Sequence, residues 1–136
     1  MIMKWLLDTS VYSQPLRRQP IKRALEKWRD AGDSNCAISG VTLGEIHWGL
    51  HAAANDRLWD GYHALIADRL SILETSNSIW KKFAEMKARQ NALGQPVSDL
   101  DLLIAATAAH HRLTIATLNH QDFSRIEGIS WEDWSV

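Results

Sequence analysis

Near the N-terminus, Ile2-Met3-Lys4-Trp5-Leu6-Leu7 is a short, almost unbroken apolar run that stops at Asp8. A strand with one face in water alternates apolar and polar residues. A run like this one belongs to a strand covered on both faces, as parallel strands are in α/β sheets clothed by helices. The carboxyl ends of such strands open onto the crevice where ligands bind. Asp8 therefore stands either at a functional rim or as the N-cap of a following helix.

The rest of the chain alternates helix and strand signals. Pro20, then Ile21, Ala24, Leu25 and Trp28 on one face, then Gly32, predict a structural helix. Residues 35–38 can form a second short strand, and Ser39-Gly40-Val41-Thr42 turns into a helix with Leu43, Ile46 and Leu50 inward and Glu45 in its first turns. Leu58, Tyr62, Leu65, Ile66 and Leu70 mark another amphipathic helix, followed by a brief strand at 71–74. A longer helix is predicted from about 78 to 93, with Ile79, Phe83 and Met86 inward and Gly94 as its stop. Gln95-Pro96 forces a loop. Residues 97–109 then carry the most continuous apolar helix pattern, with Leu100, Leu103, Ile104 and Thr107 on the buried face and Asp99 and Asp101 in the first turn. Leu113-Thr114-Ile115-Ala116-Thr117 is the clearest later strand, Asn119 and Asp122 follow it, and Phe123, Ile126, Ile129 and Trp131 close the domain. Strands alternating with helices imply an α/β fold with a parallel sheet covered on both faces.

At 136 residues the chain is expected to be one domain, 1–136, long enough to bury roughly two-thirds of its unfolded surface. A net charge of −1 gives no global basic field that would advertise nucleic acid. Any such binding must come from local patches, Arg17, Arg18, Lys22 and Arg23 or Lys81, Lys82, Lys87 and Arg89, each of which reads first as a solvated helix face. No apolar run approaches the roughly 20 residues of a membrane span. The N-terminal run is too short for a signal peptide, and the single Cys36 excludes an internal disulfide and suits a reducing cytoplasm. Of the seven tryptophans, Trp131 and Trp134 flank acids near the C-terminus, where a minority role as interface anchors is open.

Collected, the polar groups expected at one rim are Asp8, Glu45, Asp101 with Asp99 close by, and Asn119 with Asp122. Each acid alone has a structural explanation. Ser98 to Asp101 and Thr42 to Glu45 are capping-box spacings, and acids are favoured at helix starts. Their recurrence at the same kind of position shifts the balance. Clustered carboxylates raise one another's pKa values, so a fold keeps them where something cationic sits. All-oxygen ligation, with no Cys and no His at a matching position, selects a hard ion, Mg²⁺ or Mn²⁺, suited to orienting water and neutralising a phosphodiester. His47 and His51 have metal-sharing spacing, but the Glu of the zinc-protease motif is absent and no third ligand is evident. A dehalogenase-type phosphatase needs an Asp where Ser10 stands, and a phospho-receiver needs a late strand-end lysine that does not follow Thr117.

In this order the residues resemble the PIN domain, and specifically the VapC-like ribonuclease toxins of bacterial toxin-antitoxin pairs. The resemblance spans nearly the whole chain and rests on four blocks. These are Leu6-Leu7-Asp8-Thr9-Ser10; Ser39-Gly40-Val41-Thr42-Leu43-Gly44-Glu45 with Gly49; Asp101-Leu102-Leu103-Ile104-Ala105-Ala106-Thr107-Ala108; and Thr117-Leu118-Asn119-His120-Gln121-Asp122-Phe123. Each block is weak and the ordered set is specific. It implies a PIN-like three-layer α/β/α fold with a central, mostly parallel sheet.

The resemblance further implies that Asp8, Glu45 and Asp101 bind metal, Asp101 being preferred to Asp99 because it stands three residues before Ile104-Ala105-Ala106. Thr9 or Ser10, and Thr117, would support these acids by hydrogen bonding, with Asp99 nearby. The family's fourth acid falls at or near Asn119, where an amide stands; Asp122 is then a substitute, or one metal suffices. The implied activity is Mg²⁺- or Mn²⁺-dependent endoribonucleolytic hydrolysis of RNA, structured RNA such as tRNA being the expected substrate. The implied assembly is a cytoplasmic homodimer inhibited by a cognate antitoxin, with which it forms a hetero-oligomer. The alternative keeps the fold without the activity: a catalytically inactive PIN-like binding module whose rim acids are helix caps.

Overall fold

Leu6 and Leu7 are both fully buried, yet they belong to two different cores. The pleat turns successive side chains to opposite faces, and this strand is covered on both. The computed structural model describes residues 3–136; Ile2, expected in the first strand, lies outside the described residues. Five strands form one sheet: β1 (Trp5–Leu7), β2 (Cys36–Ser39), β3 (Ser71–Leu73), β4 (Thr114–Thr117) and β5 (Ser130–Asp133). Their order is β3-β2-β1-β4-β5 and every pairing is parallel. Register aligns Leu6 with Ala37 and Ile115, and Leu7 with Ala116.

Between β1 and β2 run α1 (Thr9–Tyr12) and α2 (Lys22–Ala31); between β2 and β3, α3 (Gly40–Ala53) and α4 (Asp56–Leu65). Between β3 and β4 run α5 (Asn77–Ala92) and α6 (Asp99–His111), and α7 (His120–Ser124) precedes β5. One face of the sheet, through Leu7, Ile38 and Ala116, packs on Tyr12, Trp28, Ile46 and Leu50. The other, through Leu6, Ala37 and Ile115, packs on Ile79, Met86, Leu102 and Ile104. Burying a leucine on either side stabilises by about 1.5–3 kcal/mol. This is the expected three-layer α/β/α arrangement, with a wholly parallel sheet.

The departures have local causes. β2 begins one residue later than expected because the Asn35 N–H is used by Gly32 O, at 3.0 Å, in a 3-10 turn. α4 ends at Leu65, short of the predicted Leu70, and Asp68 then takes a left-handed turn at φ 57°. Ile66 and Leu70 are buried all the same, so the apolar spacing runs on past the helix. No helix among the described residues is long and apolar enough to cross a membrane.

The strand order matters most for the site. From β1 the chain builds outward through β2 to β3, then returns to lay β4 on the other side of β1. The carboxyl ends of β1 and β4 therefore flank the point where the winding reverses, where open α/β sheets bind ligands. Leu7 and Thr117 are the last residues of those two strands.

Candidate active site

The chain leaves β1 directly into Asp8, which is 3% exposed. Asp8 caps α1: its Oδ1 accepts the Val11 backbone N–H at 3.1 Å. A cap needs no more than that. Asp8 takes two further bonds, from the Ser10 hydroxyl to Oδ1 at 2.6 Å and from the Thr117 hydroxyl to Oδ2 at 2.5 Å. Each donor is itself fixed from behind. The Asn119 backbone N–H donates to Thr117 Oγ1 at 2.8 Å, and the Leu118 N–H donates to Ser10 Oγ at 3.0 Å. The start of α1 and the end of β4 are thus joined around one carboxylate.

Glu45 is brought in by α3. That helix is capped by Ser39, whose Oγ accepts the Thr42 N–H at 3.2 Å, so the capping box expected from Thr42 to Glu45 does not form. Thr42 is already inside the helix and Glu45 lies in its second turn, free of any helix-end role. Its Oε1 instead accepts the Thr9 hydroxyl at 2.6 Å.

Asp101 stands in the first turn of α6. Ser98 caps that helix, its Oγ accepting the Asp101 N–H at 3.3 Å, which is one of the two bonds of the capping box the spacing predicts. The apolar face of α6 differs from expectation. All residues from 102 to 108 are buried, because α3, α5 and β4 all pack on this helix, whereas Leu100 is 48% exposed at its mouth.

The remaining candidates divide. Asp99 does not support the acids: it is exposed and pairs with Lys87 of α5 at 2.9 Å. Asp122, in α7, pairs with Arg125 at 3.3 Å, but its charge is also felt at Asp101. The exposed Asn119 caps nothing with its side chain, and only its backbone N–H enters the network.

Electrostatically the rim is under tension. Burial pushes the Asp8 carboxyl above its ordinary pKa; Ser10, Thr117 and Val11 pull it back, and Asp101 adds to the rise. Asp101 is raised first by burial and then by Asp122 and Glu45, with Ser98 and Arg125 opposing. The donor set fits a hard divalent cation: carboxylates without thiolate or imidazole, with the ionised forms of Asp8 and Asp101 disfavoured until positive charge arrives. Among the described residues no three His, Cys, Asp or Glu side chains are drawn together closely enough to hold an ion as they lie.

Beside the acids opens a cleft of about 690 Å³, lined by Thr9, Glu45, Val41, Trp48 and Leu100 among others. A second, of about 240 Å³, shares Thr9, Glu45 and Gly49 and reaches Arg17. Trp48 and Leu100 were not expected here. The signal for Trp48 is a large aromatic three residues after Glu45, on the side of α3 opposite Ile46 and Leu50.

Comparison with known proteins gives a consistent result. The family model of the PIN domain matches residues 5–129. The chain is 30% identical to Toxin FitB of Neisseria gonorrhoeae, over 95% of this chain and 97% of that protein. It is 28% identical to the tRNA(fMet)-specific endonuclease VapC of Salmonella typhimurium, over 98% of this chain and 99% of that one. Among solved structures, FitAcB from Neisseria gonorrhoeae superposes with a TM-score of 0.87 at 26% identity, covering 98% of each chain.

Proposed function

This chain belongs to the PIN domain family, and from that premise we propose that it is the ribonuclease toxin of a toxin-antitoxin pair, hydrolysing RNA phosphodiesters with a divalent ion. Relatives of nearly the same length carry ribonuclease, endonuclease and toxin names. A solved neighbour from Mycobacterium tuberculosis, 26% identical, is a member of the VapBC family of toxin-antitoxin systems. The observation that carries the proposal is Asp8: a carboxylate at the winding reversal of the sheet, held by two hydroxyls beyond its cap bond and raised in pKa by burial and by Asp101.

Asp8, Glu45 and Asp101 are the residues that would hold the ion, and Mg²⁺ or Mn²⁺ is the class their oxygens suit. When bound, the ion supplies Lewis acidity and neutralises charge on the phosphate during in-line attack by water. Thr117 and Ser10 keep the Asp8 carboxylate in one orientation, and Thr9 does the same for Glu45. Asp122, at the side where Asn119 replaces an acid, adds negative charge without a fixed position in the set. We assign structured RNA such as tRNA as substrate, in keeping with the similarity to the tRNA(fMet)-specific endonuclease of Salmonella typhimurium. A cytoplasmic homodimer restrained by its own antitoxin completes the proposal.

A second reading, an inactive binding module whose acids cap helices, has support at Asp8, which caps α1, and at Asp101, which lies in the first turn of α6 where acids are favoured. Glu45 speaks against it, since no helix end uses its carboxylate. Titration calorimetry of EDTA-stripped protein with Mg²⁺ and Mn²⁺, wild type beside Asp101→Asn, followed by cleavage of total tRNA, tests the choice. Binding and cleavage present in the wild type and lost in the variant support the nuclease. A wild type that neither binds the ions nor cuts RNA hands the acids back to capping.

A further inference from the structure

Glu45 and Trp48 lie one turn apart on the same side of α3. Trp48 is 74% exposed and lines the 690 Å³ cleft together with Glu45 and Thr9. Every α3 residue of that cleft falls within four positions of Glu45, and Leu100, next to Asp101, lines it from α6. A Cβ built on Gly44 or Gly49 meets nothing within 4 Å, so the space beside the indole is open. On the other side of Glu45 the second cleft leads to Arg17. The Arg17 guanidinium touches the Ser13 hydroxyl at 3.4 Å and forms no ion pair among the described residues.

We propose that Trp48 is the platform on which an unpaired nucleobase adjoining the scissile phosphate stacks, while Arg17 takes a backbone phosphate on the far side of Glu45. This rests on the ribonuclease reading and deepens it, because it makes the segment presented to the acids single-stranded. A base in a duplex hides its faces, so RNA is read at loops and ends whose bases can splay onto aromatic side chains. The carboxylates repel phosphates, so the strand needs an uncharged hold on one side of them and a cation on the other, and Trp48 and Arg17 are so disposed. The cleft also has the size of a small-molecule pocket, about 300–1,000 Å³, rather than of a groove long enough for a helix. Stacking tolerates any base, so Trp48 contributes affinity and placement more than sequence choice.

The test uses the full chain in the Asp101→Asn background, where binding can be read without cleavage. The probe is a labelled 12-nucleotide single-stranded RNA of mixed sequence, with each base replaced in turn by an abasic ribose. Trp48→Ala is expected to weaken binding about tenfold, as loss of one stacked base does, and Trp48→Phe to stay within about threefold. One abasic position should weaken the Trp48-containing protein by the same factor and leave Trp48→Ala unchanged. Arg17→Ala should weaken binding more at low salt than at high. Unchanged binding by Trp48→Ala, an abasic penalty equal in both proteins, or no binding by either, overturns the inference. If Trp48→Ala binds RNA normally but self-associates more weakly in sedimentation, the cleft belongs to a protein partner. Wild-type cleavage of tRNA, lost in Asp101→Asn, would show in that event that the ribonuclease reading stands and only the stacking role has failed; no cleavage and no binding would sink both.

Discussion

Thr117 donates its hydroxyl to Asp8 Oδ2 at 2.5 Å across 109 positions of chain, while accepting the Asn119 backbone N–H at 2.8 Å. One buried hydroxyl thus satisfies both a carboxylate and a turn. Thr117→Val keeps the shape and removes both bonds, so urea denaturation should show a loss of about 1–3 kcal/mol. Ion affinity should fall about 10–100-fold by calorimetry, the usual effect of losing a group that orients a ligand. Thr117→Ser, which keeps the hydroxyl, should lie near the wild type on both measures.

Asp101→Asn separates stability from function. In ion-free protein it removes a charge that Asp8, Glu45 and Asp122 all oppose, so the melting temperature should rise by about 2–4 °C. Mn²⁺ should then raise the melting temperature of the wild type and leave that of the variant unmoved. A variant that melts lower than wild type without ions would show that the Ser98 contact outweighs the repulsion.

The pH dependence has a defined sign. The Asp8 carboxyl titrates above its ordinary 3.8 in the folded protein, so the fold retains a proton that the unfolded chain has already lost. Its contribution is full below the unfolded pKa and is lost as pH rises through the folded one. Urea midpoints of ion-free wild type should therefore fall relative to those of Asp8→Asn as pH is raised from about 4 to about 7. Saturating Mn²⁺ should abolish the difference in slope, since the bound cation favours the ionised carboxylate.

Asp99 should prove dispensable. Its pair with Lys87 is exposed on both sides, with relative side-chain exposures of 45% and 61%, so Asp99→Asn should change stability by less than about 1 kcal/mol. Cleavage of tRNA should persist at the wild-type rate, whereas Asp101→Asn, two residues on, abolishes it.

Much of this was legible in the sequence because the all-apolar first strand stops abruptly at an acid. A doubly covered strand has only one kind of place to end, and Asp8 is there. Glu45 was legible as a rim acid but not as one free of capping, since Ser39 and Thr42 both precede a helix. Only the extended backbone at Ser39, φ −84° and ψ 160°, decides which of them starts it. The spacing of α6 placed Leu100 inside and left Asp99 near the site. Tertiary packing overrode both: α6 is surrounded along its length, and Lys87 on α5 draws Asp99 outward. α1 and α7 are too short for a period to show, and β5, an edge strand reading Ser-Trp-Glu-Asp with exposed positions, carries no apolar run.

The bond from Thr117 to Asp8 also bears on how the protein is made. Asp8, Glu45 and Asp101 have all left the ribosome before β4 does, but the hydroxyl that orients the first of them belongs to the last residue of β4. Any chain released short of Thr117 lacks that hydroxyl and the strand that carries it beside β1. A truncated product ending before β4 would therefore carry all three acids while leaving Asp8 without the bond and the neighbouring strand that hold it in place.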